Sequence, residues 1–195
     1  MADSGAAAKL TSPVHEPIAH DSAARHVSGE AVYIDDIPEP PGLLHLHVGQ
    51  GARAHARVVR MDLTAVRAAP GVVAVLTAAD VPGKNDISPF AGDDPMFAEG
   101  VVKFAGQPLF AVAAESLPKA RAAAALAVVE YEDLPALLTV DDARAADTAI
   151  EPVQVMRLGD AQPAIAAAPH QLEGRLAVGG QEHFYLEGQV ALVIP

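Results

Sequence analysis

PLFAVAAESLPKARAAAALAVVEY, residues 108–131, holds the clearest structural pattern in the chain. Pro108–Ala114 is an unbroken apolar run of strand length, bounded upstream by Gly106. Such a run suits a strand buried on both faces. Ser116 is a favourable helix N-cap, and Pro118 is tolerated in a first turn. Lys119–Ala127 is then a strong helix former, and Val128–Tyr131 returns to strand character. The near-continuous alanine allows close packing on more than one side, although high helix propensity alone also accounts for it.

A similar succession precedes it. Leu44, Leu46 and Val48 alternate with His45 and His47, which predicts a half-buried strand with its leucines inward. Residues 54–61 (AHARVVRM) read as extended, Asp62 as the cap of a short helix ending before Pro70, and Val72–Thr77 as a strand after a reversal at Gly71. The two strand–helix–strand successions predict compact crossover units. Between them, residues 81–100 hold proline, glycine and little periodicity, so a long loop is expected, of the kind that is often functional or covers something. Residues 1–20 read as a flexible lead-in, and regular structure is expected from Gly29, with Ala31–Tyr33 extended. A turn and one short helix are expected over 132–147, a linker over 147–169, and extended chain from His170 onward.

Composition narrows the function classes. Hydrophobic residues make up 51% of the chain but aromatics only 4%, so the core relies on alanine and valine. Small side chains bury little area each, and such a core needs close backbone contacts or large neighbouring surfaces. The formal net charge of −12 disfavours nucleic acid and anionic lipid as partners. The absence of cysteine excludes a disulfide, a zinc–thiolate site or an iron–sulfur cluster held by this stretch. No secretory signal pattern or membrane-length apolar run occurs, so the cytoplasm is the expected compartment. The strongly apolar Val190–Ile194 before Pro195 suggests a strand that more chain would cover, hence a truncated second domain.

Few residues suggest chemistry on spacing alone. His45 and His47 would share a strand face, but two histidines without a third ligand read better as a solvent-facing pair. Glu182, His183 and Glu187 resemble a metal set superficially, yet neighbours on a strand point to opposite faces. Gly83-Lys84-Asn85 lacks the glycines and hydroxyl of a phosphate loop, and no dinucleotide fingerprint is present. One segment stands apart: Gly179-Gly180-Gln181, followed by a polar-aromatic stretch. Two glycines permit close approach of a bulky partner, and a glutamine offers a neutral donor and acceptor to an oxo or carbonyl oxygen. A turn before a buried strand accounts equally well for the same residues.

Four stretches in order, GEAVYIDDIPEPPGLLHLHVG (29–49), AHARVVRMDLTAVRAAPGVVAVLTAADVPGKND (54–86), VKFAGQPLFAVAAES (102–116) and VVEYEDLPALL (128–138), resemble the N-terminal hammerhead domain of the molybdenum hydroxylases. That family includes xanthine dehydrogenases, aldehyde oxidases and carbon monoxide dehydrogenases. GGQEHFYLEGQ (179–189) and PGKNDISP (82–89) resemble its xanthine branch. The resemblance implies an α/β (α+β) hammerhead domain over 21–146, a linker over 147–169, and the first strands of a truncated molybdopterin-binding domain over 170–195. It implies that Gln181, with Gly179 and Gly180 beside it, lies next to molybdenum and hydrogen-bonds an oxygen ligand without ligating the metal. The catalytic base and substrate-binding residues would lie past Pro195, leaving no catalytic residue in this chain. The implied reaction is oxidative hydroxylation of hypoxanthine and xanthine to urate. Electrons would pass through [2Fe–2S] clusters and FAD on a partner subunit to NAD, in a heterotetramer. Another molybdenum hydroxylase, acting on aldehydes or N-heterocycles, and a stand-alone packing or assembly module are the alternatives.

Overall fold

The computed structural model describes residues 14, 16–89, 92–149, 152–185 and 188–194. Most of the expected lead-in, and Pro195, lie outside the described residues. The chain divides into two units, one spanning Pro40–Arg175 and the other drawn from Met1–Glu39 and Leu176–Pro195.

The larger unit is built on two three-stranded antiparallel sheets. Its strands are β1 (His45–Gln50), β2 (Ala56–Asp62), β3 (Val72–Leu76), β4 (Val101–Val102), β5 (Pro108–Ala114) and β6 (Val128–Asp133). One sheet has the order β1-β5-β3 and the other β4-β2-β6. The apolar run at 108–114 is thus a central strand, as its composition requires, with every residue buried or half-buried. Helices α2 (Thr64–Arg67) and α3 (Leu117–Ala124) lie in the connections.

The strand–helix–strand successions are present, but they are not crossover units. β2 and β3 fall in different sheets, as do β5 and β6. Nine residues between β2 and β3 are too few for a parallel crossover, which needs about a dozen or more. β6 instead pairs antiparallel with β2, placing Arg57 opposite Glu132 and Arg60 opposite Glu130. The ion pairs Arg57 Nε–Glu132 Oε2 (3.1 Å) and Arg60 Nη1–Glu130 Oε1 (3.2 Å) cross that ladder on its exposed face. Val129 and Tyr131 point the other way, toward the core.

A second difference concerns β1. Leu46 is 56% exposed, while His45 and His47 are half-buried and Gly49 is buried. The strand sits in the opposite phase to the expected one. The cause is cross-strand: Gly49 faces Phe110, and a Cβ at position 49 would lie 2.2 Å from the Phe110 ring. The ring claims the space over Gly49, so the odd-numbered residues turn inward with it. α3 packs on β1 and β5, and its buried residues are Ala120 and Ala123. The small-residue core is therefore held by close approach of helix to sheet.

Local signals act as expected at the turns and caps. Ser116 Oγ accepts the Lys119 N–H at 3.4 Å to start α3. Asp62 Oδ1 accepts the Thr64 N–H at 2.9 Å, holding the carboxyl of Asp62 below the usual range; the Thr64 bonds contribute most and Arg60 less. Gly71 has φ 80°, the left-handed conformation that reverses the chain into β3.

The long 81–100 segment carries no helix or strand among its described residues, but it is clasped. Asn85 donates through Nδ2 to the Phe97 carbonyl (2.7 Å), and its Oδ1 accepts the Phe97 N–H (2.9 Å). Phe97 and Ala98 are buried, and the Ala98 N–H reaches the Pro108 carbonyl (2.8 Å) at the start of β5. The loop thus covers the start of the central strand.

Beyond β6 lies α4 (Val140–Ala145), the short helix expected there, capped reciprocally by Thr139 and Asp142. The expected linker contains a further exposed helix, α5 (Ala161–Ala167), which starts after Asp160 without a side-chain capping bond. In the smaller unit, α1 (Ala23–Ser28) precedes Gly29, where the onset of regular structure was expected, and Ala31–Tyr33 joins no ladder. The described residues of 170–194 form no helix or strand, so the strands expected there have no ladder partner. No helix among the described residues is long and apolar enough to cross a membrane.

Candidate functional site

Gly179, Gly180 and Gln181 lie in the smaller unit, on exposed chain without regular structure. A Cβ built on either glycine would meet no atom within 4 Å. The space that the two glycines keep open is present, and no described residue occupies it. Gln181 is exposed, and its carboxamide makes no hydrogen bond to a described residue.

The residues that follow have a defined local geometry. The His183 and Tyr185 rings stack at 5.3 Å with an interplanar angle of 7°. Phe184 between them has φ 59°, an uncommon conformation for an aromatic residue, and is 92% exposed. Glu182 Oε1 accepts the His183 N–H at 3.0 Å and lies 3.9 Å from His183 Nδ1. These neighbours do approach each other, contrary to the divergence expected of a strand, because the chain here is not a strand. The carboxylate is nevertheless engaged by its neighbour's backbone. Glu187 lies outside the described residues.

Among the described residues, no three of His, Cys, Asp and Glu gather to hold a metal ion. His45 and His47 sit on the inward side of β1, opposite Ala114 and Val112, rather than facing solvent as a pair. In the smaller unit, Tyr33 Oη lies 3.1 Å from His26 Nδ1, and the His26 ring is 6.2 Å from that of His20. The sequence offered no periodic signal for that cluster, since its members straddle α1 and an irregular stretch.

The chemistry of this donor set fits the molybdenum cofactor implied by the resemblance. A dithiolene cofactor brings its own sulfur ligands, so the protein need supply no thiolate and no metal-ligand cluster. Open glycine backbone followed by a neutral carboxamide suits contact with an oxygen on such a group.

Known proteins resemble this chain over most of its length. The sequence profile described as "aldehyde oxidase and xanthine dehydrogenase, a/b hammerhead domain" matches residues 28–135, and that of the molybdopterin cofactor-binding domain matches residues 144–195. The xanthine dehydrogenase/oxidase of Gallus gallus is 38% identical over 182 residues, which is 93% of this chain and 13% of that protein. Aldehyde oxidase 2 of Rattus norvegicus is 40% identical over 187 residues, covering 95% of this chain and 14% of that protein. The solved aldehyde oxidoreductase of Desulfovibrio gigas superposes with a TM-score of 0.64 at 32% identity, over 79% of this chain and 19% of that one.

Proposed function

The chain belongs to the aldehyde oxidase and xanthine dehydrogenase family of molybdenum hydroxylases, which are oxidoreductases, and on that premise we propose that it is the N-terminal part of the molybdenum-cofactor subunit of a xanthine dehydrogenase. The reaction is oxidative hydroxylation of hypoxanthine and xanthine to urate. The single observation carrying this reading is Gln181 behind two open glycines, within the stretch that matches the cofactor-binding domain. In this reading, residues 21–146 form the hammerhead domain, 147–169 a linker, and 170–195 the start of the cofactor-binding domain.

When bound, the molybdenum cofactor supplies the two-electron redox chemistry. The task of this chain is to orient it. Gly179 and Gly180 would let the backbone come close to the cofactor, and the Gln181 amide would donate a hydrogen bond to an oxygen ligand of it. A neutral donor at Gln181 would stabilise developing negative charge without adding a titratable group. In this reading a partner subunit would hold the [2Fe–2S] clusters and FAD, with NAD as the electron acceptor, in a cytoplasmic heterotetramer.

A second reading is an aldehyde oxidoreductase, favoured by the 40% identity to a rat aldehyde oxidase. Turnover of the full-length complex with hypoxanthine and with an aromatic aldehyde, measured side by side, separates the two. Preference for hypoxanthine with NAD as acceptor supports the first reading. Aldehyde oxidation without hypoxanthine turnover replaces it with the second.

A further inference from the structure

A cleft of about 340 Å³ opens in the larger unit where the two sheets meet. Its walls are apolar: Val58 and Met61 come from β2, Leu109 from β5, and Ala98 from the clasped loop. Leu109 and Ala98 are only 2% and 8% exposed, so the floor belongs to the core. Two polar side chains also line it, Thr77 and Glu99. Thr77 Oγ1 donates to Asp80 Oδ2 (2.9 Å) and is engaged. Glu99 accepts from Asn85 Nδ2 through Oε2 (3.1 Å), while its Oε1 receives no bond from a described residue.

An apolar cleft with one carboxylate at its edge selects a particular chemistry. Its volume falls in the range of about 300–1,000 Å³ used for small ligands. An anion would meet Glu99 and the chain's overall charge of −12. Glu99 is exposed, so beside a neutral hydrocarbon it stays hydrated and adds nothing to binding, whereas beside an ammonium it adds one exposed ion pair. A small aliphatic or aromatic amine satisfies both, with its hydrocarbon body against Met61 and Leu109 and its ammonium at Glu99 Oε1. We propose that this cleft is a binding site for a small apolar cation, separate from the Gln181 segment and independent of the reaction assigned to it. Asn85 is then a positioning residue, since the amide that clasps the loop also holds the Glu99 carboxylate at the mouth.

The test is photoaffinity labelling of the full-length protein with a diazirine-bearing phenethylammonium and with the corresponding neutral alcohol. The ammonium probe is expected to label saturably the peptides containing Met61 and Ala98–Gly100. The alcohol should label them about fivefold less, the value of one partly exposed ion pair. Glu99→Gln keeps an acceptor for Asn85 and should reduce ammonium labelling to the alcohol's level. Ala79→Leu, at the cleft lining, should abolish labelling by both probes. Unsaturable labelling, labelling elsewhere, or equal labelling of the wild-type protein by the two probes overturns the proposal. The last comparison needs no variant, so misfolding cannot obscure it.

Discussion

Gly49 and Phe110 face each other across β1 and β5, and the contact between them is the tightest residue-level constraint in the larger unit. The 2.2 Å that would separate a position-49 Cβ from the Phe110 ring leaves no room for any side chain. Phe110 is itself 2% exposed and cannot swing into solvent. Gly49→Ala is therefore expected to destabilise the fold by about 1–3 kcal/mol, as overpacking of a core does. A urea unfolding curve checks this, and an unchanged midpoint would contradict the packing. The same pair explains why the phase of β1 is opposite to the one its alternation predicts. Alternation of Leu44, Leu46 and Val48 with histidines is a local signal, whereas the ring lies 61 residues away in the chain. Gln181 presents the opposite case. The role proposed for it rests only on the motif around it, because the local geometry is exposed chain in which the two glycines have no neighbour within 4 Å.

At the scale of elements, the strands and helices follow from residue patterns, and their pairing does not. The strand expected over 108–114 is observed over the same residues, and the helix expected after a Ser116 cap, with Pro118 in its first turn, runs from Leu117 to Ala124. What the patterns lacked was partner choice. β6 pairs with β2, with the exposed Arg57–Glu132 and Arg60–Glu130 pairs across the ladder, and β3 pairs with β5, so each strand–helix–strand succession is split between two sheets. Several elements are also started by carboxylates. Asp62 takes the Thr64 backbone N–H at α2, Asp80 that of Thr77 at a short 3-10 turn, and Asp86 that of Ser88 in the clasped loop. In each case the backbone bond is the largest cause of a lowered pKa, with a weaker contribution from a neighbouring cation. Lowered folded-state values mean that the unfolded chain binds more protons across the acid range. The stabilisation is complete above the unfolded aspartate value of about 4 and is lost as pH falls through the folded values. Acid unfolding of Asp62→Asn, Asp80→Asn and Asp86→Asn together should show a shallower pH dependence below pH of about 4 than the wild type. An identical acid transition would mean that these caps carry no stability.

For the whole molecule, the central fact is partial coverage. The chain spans 13–14% of the length of the chicken and rat relatives it matches. Large apolar side chains in the stretch matching the cofactor-binding domain lie open, with Met156, Leu158 and Leu172 essentially fully exposed. Exposed apolar surface of this kind is ordinarily covered by more protein. The Gly179–Gln181 segment on its own offers one carboxamide and no enclosing cradle. Residues 1–195 purified alone are accordingly expected to carry no molybdenum by elemental analysis, and a stoichiometric content would show that the site is complete within this stretch.

The most direct measurement is hypoxanthine-dependent NADH formation by the full-length complex and its Gln181→Ala variant, compared at equal molybdenum occupancy. The wild-type complex should reduce NAD with hypoxanthine, and the variant should turn over at least about tenfold more slowly, as expected when one donor to developing charge is removed. Equal rates at equal occupancy, or no reaction of the wild-type complex with hypoxanthine, would contradict the account.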